Sequence, residues 1–97
     1  MLYTINKSPF LFGNLESCLR VAPAEAPVLL YEDGVYAAAA GTRLEPLVRQ
    51  AAQSRPVYAL EADLTLRGID RLVEGVRVVG YDGFVDLVAE HNVTPWL

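Results

Sequence analysis

The chain carries one cysteine, one histidine and no long apolar run, and each shortage removes a class of function. One cysteine makes neither an internal disulfide nor a Cys-x-x-Cys pair. With His91 as the single histidine, a structural zinc site lacks soft ligands within the chain. The longest unbroken apolar stretch, Val35–Ala40, is too short to cross a bilayer. MLYTINKSPF has no charged segment followed by a long apolar run, so it is not read as a signal peptide, and a reduced cytoplasm is the expected location. Twelve acidic residues face eight scattered basic ones, giving a formal charge of −4. No cluster of Lys and Arg stands ready to displace counterions from phosphates, which argues against nucleic acid as a direct ligand. Glycines at 13, 34, 41, 68, 75, 80 and 83 never form GxGxxG or a P-loop, so a nucleotide cradle is not expected. No cofactor is expected either.

Two catalytic constellations fail on spacing. Ser8 and His91 with a carboxylate would make a hydrolytic triad, but Ser8 precedes a proline in a plain loop and no GxSxG elbow is present. Asp33 beside Glu32 suggests a phosphoacceptor, yet the lysine such a site needs after a late strand is replaced by Leu60-Glu61 and Gly80-Tyr81.

What the chain does have is apolar surface. Counted with glycine and without tyrosine, about 55% of residues are apolar, against ~45–50% in typical domains. Ninety-seven residues form one domain, 1–97, whose high surface-to-volume ratio cannot hide that much side chain. The surplus predicts an obligate oligomer.

Strand-like and helix-like segments alternate. Leu2–Asn6, Pro27–Glu32, Pro56–Leu60 and Val76–Gly80 read as strands. Leu15, Cys18, Leu19 and Ala22 share one helical face that Asn14 could cap. Leu44, Leu47, Val48 and Ala51 mark a second helix, Ala62–Arg67 a short third, and Phe84, Leu87, Val88 and His91 a fourth. Glu32-Asp33-Gly34 and Tyr81-Asp82-Gly83 each follow a strand, where the aspartates read as helix caps. The fold class is therefore α/β: a small parallel, or mostly parallel, sheet of four to five strands with helices on both faces. Chemistry in such sheets sits beyond the carboxyl ends of the strands, a rim that would hold Lys7, Ser8, Glu32, Asp33, Glu61, Asp63, Tyr81 and Asp82. The apolar tail Val93–Leu97 carries the single tryptophan and is expected to pack, on its own sheet or on a neighbour.

Cys18 is the remaining nucleophile. On spacing it belongs to an apolar stripe, where free cysteines are often small core hydrophobes. A reactive thiolate would need the first turn of the helix or a nearby cation, with Lys7 and Arg20 the closest in sequence.

Leu2–Phe10 (LYTINKSPF), Leu15–Leu19 (LESCL), Leu29–Ala38 (LLYEDGVYAA), Val57–Leu64 (VYALEADL) and Tyr81–Leu87 (YDGFVDL) together resemble the TusB/DsrH family of sulfur-relay subunits. The resemblance runs through nearly the whole chain in order. It implies a DsrE-like fold and a heterohexamer with TusC- and TusD-like subunits, or with DsrF- and DsrE-like ones, serving a TusE- or DsrC-like sulfur acceptor. In TusB-type members the complex passes persulfide sulfur toward 2-thiouridine at the tRNA wobble position. In DsrH-type members it handles sulfur during sulfur oxidation. Neither direct nucleic-acid contact nor a membrane is implied, and the chain is not expected to be catalytic alone. The resemblance makes Cys18 a candidate persulfide carrier. The competing expectation is a structural subunit with no sulfur on Cys18, for which Phe10, Phe12 and Trp96 are candidate interface residues.

Overall fold

A computed structural model describes all residues from Met1 to Leu97, and it orders them as one sheet with helices on both sides. The strands are β1 (Leu2–Ile5), β2 (Val28–Leu30), β3 (Val57–Leu60), β4 (Arg77–Val79) and β5 (Val93–Pro95). The helices are α1 (Asn14–Val21), α2 (Glu45–Ser54), α3 (Glu61–Leu66) and α4 (Tyr81–Glu90), and a 3-10 helix covers Glu32–Ala38. All pairings are parallel and the spatial order is β4-β3-β2-β1-β5.

That order decides which face each helix covers. Right-handed crossovers from β1 to β2 to β3 to β4 all step the same way, so their connections fall on one face. The return from β4 across the sheet to β5 steps the opposite way and puts α4 on the other. Alternation along the strands follows suit. Tyr3, Ile5, Val28, Leu30, Val57 and Ala59 pack with Leu15, Cys18, Val35, Val48 and Leu64. Leu2 and Leu29 pack with Leu87, flanked by Phe84, Tyr58 and Val79. All three β2 residues are fully buried because the strand is covered on both sides, which explains its unbroken apolar run.

The four strands expected from their apolar runs are present, and the tail adds a fifth. Val93 pairs with Leu2 and Pro95 with Thr4, so the proline sits on an edge strand, where a missing N–H is harmless. Trp96 packs on its own sheet: its ring meets Tyr3 edge-on at 5.8 Å and its amide donates to the Thr4 carbonyl at 2.9 Å.

None of the three expected caps forms a capping hydrogen bond, and two of the side chains have other work. Asn14 is the first helical residue rather than the cap, and its amide donates to the Trp96 carbonyl at 3.1 Å. Asp33 lies inside the 3-10 helix and pairs with Arg67 at 2.8 Å. Asp82 is in the first turn of α4 without a capping hydrogen bond, so it serves the helix end by charge alone.

Candidate functional site

The carboxyl ends of the strands do gather polar residues. The Glu32 amide donates to Asp63 Oδ2 at 2.7 Å, and Asn6 Nδ2 donates to Glu32 Oε1 at 3.4 Å. Arg67 reaches both Asp33 and Asp63 and lies over the Tyr36 ring. Its hydrogen bond to Asp33 is the main reason its pKa is raised above the usual arginine value. Glu32 is the one non-glycine residue with positive φ, at 49°, so the chain turns sharply as it leaves β2. Gly34 then passes directly over the end of β1. A Cβ at Gly34 would sit 2.1 Å from the Ile5 carbonyl oxygen, so glycine is demanded here by contact rather than by φ.

This rim is a structural clasp between β1, the 3-10 helix and α3. Its carboxylates are engaged with Arg67 and a backbone amide, and no three His, Cys, Asp or Glu side chains converge to hold a metal ion. Arg67 and Tyr36 were invisible to the rim argument; the signal for Arg67 was its position four residues after Asp63. Of the other rim residues, Lys7 lies over the Phe12 ring, while Glu61, Tyr81 and Asp82 point into solvent. Ser8 is buried and accepts the Phe10 amide through Oγ at 3.3 Å. It follows the carboxyl end of β1, whereas His91 precedes the amino end of the parallel β5, so the two stand at opposite ends of the sheet.

Cys18 lies in the second turn of α1, fully buried in the larger core cluster. It is beyond the first-turn amides that would stabilise a thiolate. Lys7 is turned to Phe12 and Arg20 is exposed. The cation that acts on Cys18 is Arg55, in the extended link between α2 and β3. Burial pushes the thiol above its ordinary value, and the Arg55 charge pulls it down without overcoming the desolvation.

A test follows from that balance. In the native chain Cys18 is expected to react with an aromatic disulfide reagent at least about a hundredfold more slowly than in urea, because reaction awaits local opening. The thiol also links stability to pH. The unfolded chain loses the proton near the ordinary 9.0, the folded chain higher. The Cys18 contribution to stability is therefore complete below pH 9.0 and is lost as pH rises through the folded value. The difference in stability between wild type and Cys18→Ala should be flat near neutrality and shrink above that point, by at most about 1.4 kcal/mol per pH unit. A difference that stays constant across this range would show an unperturbed thiol.

Arg55 itself is 8% exposed, and its Nε and Nη1 are buried with no hydrogen-bond partner. It lines an open cavity of about 190 Å³ between α1 and α2, together with Leu19, Leu47, Gln50, Ala51 and Ser54. Beneath it an apolar gap of about 10 Å³ is lined by Leu15, Leu19, Val28, Leu30, Val48, Ala51 and Val57. Arg55 has no local signal in the sequence, where it is one arginine before the strand-like Pro56–Leu60.

Residues 7–94 match the family described as DsrH like protein. The chain belongs to the DsrH-like family. Within that family it is 38% identical over 93 residues to Protein TusB of Serratia proteamaculans (strain 568), with 95% of each chain covered. Protein TusB of Pectobacterium carotovorum subsp. carotovorum (strain PC1) is 35% identical over 92 residues, covering 94% of each. Among solved structures, the YchN protein of E. coli superposes with a TM-score of 0.81 at 19% identity, covering 97% of both chains. MTH1491 of Methanobacterium thermoautotrophicum gives 0.70 at 20% identity, covering 97% of this chain and 96% of that one. At those identities the likeness speaks for the fold, which is the DsrE-like α/β arrangement that the family resemblance implied. No helix of this DsrH-like chain is long and apolar enough to cross a membrane.

Proposed function

We propose that this DsrH-like chain is the TusB-type subunit of a sulfur-relay complex. It would assemble with TusC- and TusD-like subunits into a heterohexamer and pass persulfide sulfur through a TusE-like acceptor toward 2-thiouridine at the tRNA wobble position. The end-to-end match to proteins named TusB carries the choice of tRNA thiolation over sulfur oxidation. Surface apolarity supports assembly. Phe10, Leu11 and Phe12 stand side by side in the loop before α1, with Leu11 77% exposed. Large exposed apolar groups of this kind mark interaction surfaces. Trp96, the third aromatic expected at an interface, is half-buried with its ring edge-on to Tyr3.

Within the complex this chain shapes the assembly, and the sulfur rides on a partner's cysteine. The observation behind that assignment is the burial of Cys18, which keeps it protonated at neutral pH and out of reach of a donor. A second reading, favoured by the unpaired charge of Arg55 near it, makes Cys18 a carrier after local opening. Its thiolate would attack the outer sulfur of a donor persulfide, the donor S–S bond would break, and the donor would leave as a thiolate.

Cys18→Ala in the native host separates the two. Expected is assembly with two related small subunits and 2-thiouridine within about twofold of wild type, since the removed sulfur carries no cargo. Loss of 2-thiouridine from a variant that still assembles would transfer the relay role to Cys18. Recovery of the chain without such partners would overturn the relay assignment altogether.

A further inference from the structure

We propose that the cavity between α1 and α2 is a carboxylate-binding site built on Arg55, an assignment that goes beyond the relay reading and does not depend on it. The starting point is an uncompensated charge. Arg55 is more than nine-tenths buried, enters no ion pair in the chain, and keeps Nε and Nη1 sealed and unbonded. Buried cations are normally paired, because desolvation costs more than packing of the stem returns. An orphaned guanidinium lining an open cavity therefore marks a missing partner of negative charge.

The backbone puts it there. Arg55 precedes Pro56, which disfavours helical φ and ψ, and Arg55 takes φ −148° and ψ 157° as α2 ends. Leu47, Gln50, Ala51 and Ser54 recur at helical spacing and turn one face of α2 to the same cavity, opposite Leu19 of α1. Nη2 is neither sealed nor bonded, so an incoming anion meets it first.

The lining selects the anion. A guanidinium fork matches a carboxylate or a phosphate in two parallel hydrogen bonds, the second of which requires the Arg55 side chain to turn a sealed nitrogen toward the cavity. Here a single cation stands at the carboxyl end of α2, where the helix dipole is negative and no free amide nest adds positive charge. The negative helix end offsets part of the Arg55 charge, so a singly charged anion is favoured over a doubly charged one. Leu19, Leu47 and Ala51 offer an apolar wall and Gln50 a second donor, while the Ser54 hydroxyl is already given to the Ala51 carbonyl at 3.2 Å. At about 190 Å³ the space is smaller than the ~300 Å³ at which drug-sized ligands begin. The occupant is a monoanionic carboxylate on a short apolar body, free or as the end of an acidic side chain.

Butyrate is the probe, read on the Arg55 Nε–Hε signal of the full isotope-labelled chain at constant ionic strength. Expected is a saturable shift with butyrate, none with chloride or 1-butanol, and binding of inorganic phosphate about tenfold weaker or less. In Arg55→Met the butyrate response of the Gln50 side-chain amide disappears while the melting temperature holds or rises, because a buried unpaired charge has been removed. Arg55→Lys keeps the charge, loses the fork and binds more weakly. No saturable shift, phosphate binding as tightly as butyrate, or an unchanged response in Arg55→Met would each overturn the site.

The assembled complex then tells the two sources apart. If butyrate still titrates Arg55 there, the carboxylate is a small molecule. If butyrate is shut out and Arg55→Met weakens assembly, it belongs to a partner subunit. Butyrate shut out with assembly of Arg55→Met intact would overturn the site. Failure to find partners would sink the relay reading and leave the butyrate result standing.

Discussion

Gly34→Ala is expected to remove most of the stability of the fold. The new Cβ would lie 2.1 Å from the Ile5 carbonyl oxygen and 2.9 Å from its carbon, both backbone atoms at the end of β1. Neither can step aside. The Ile5 oxygen accepts the Tyr31 amide at 3.1 Å, so moving it pulls β1 from β2 at the middle of the sheet. Moving the other partner unseats the Glu32 turn from Asp63 and with it the clasp to Arg67. Overpacking against a movable side chain costs ~1–3 kcal/mol, and contact with rigid backbone belongs to the rarer class at about 4 kcal/mol or more. Small domains have roughly 5–15 kcal/mol in total, so the variant should unfold at low urea or fail to accumulate. Gly13→Ala is the control: nothing lies within 4 Å of its Cβ position, and putting alanine at this helix N-cap should cost only about 1 kcal/mol. Equal urea midpoints for the two variants would overturn the close approach of Gly34 to Ile5.

Phe12→Asp is expected to leave the fold intact and cost the assembly. The ring is 51% exposed, with the Lys7 ammonium 5.5 Å from its centre, while Phe10 carries Arg43 at 5.6 Å. The two cations rest on the outer aromatics and leave Leu11 uncovered between them. Such an array gains little by facing water and much by being covered, since an aromatic ring removes a large apolar area with few rotors to freeze. A charge at the centre of an interface typically costs as much as losing a hot-spot residue, ~2–4 kcal/mol, or roughly thirtyfold to a thousandfold in affinity. Thermal stability should barely change, because an exposed ring contributes little to the core and the new carboxylate can pair with Lys7. Co-purification of the partner subunits and the 2-thiouridine content of tRNA should fall together. Wild-type assembly by Phe12→Asp would move the interface to another face of the molecule.

Much of the architecture was legible because it rests on short-range periodicity. The unbroken apolar run Val28–Leu30 signalled a strand covered on both faces, and the Leu15, Cys18, Leu19, Ala22 stripe signalled the buried side of α1. Alternation of such segments left few topologies beyond a parallel sheet with right-handed connections. β5 escaped notice because three residues containing a proline make too weak a pattern to announce a strand. The caps were misread for the reason that a local rule ignores distant competitors: Asn14 is held by Trp96, 82 residues away in the chain, and Asp33 by Arg67.

The amino-acid order by itself determined the fold class, the family, the amphipathic faces and the lack of any metal, nucleotide or disulfide motif. Each follows from interactions within a few residues or from composition. The tertiary structure alone decided that Gly34 must be glycine, that Cys18 is closed off, and that Arg55 faces a cavity without a partner. Those outcomes depend on which strands become neighbours and in what register, and so on desolvation and contact between groups far apart in the chain. A buried charge or a contact with a distant carbonyl has no local signature, because its energy exists only once the sheet has closed around it.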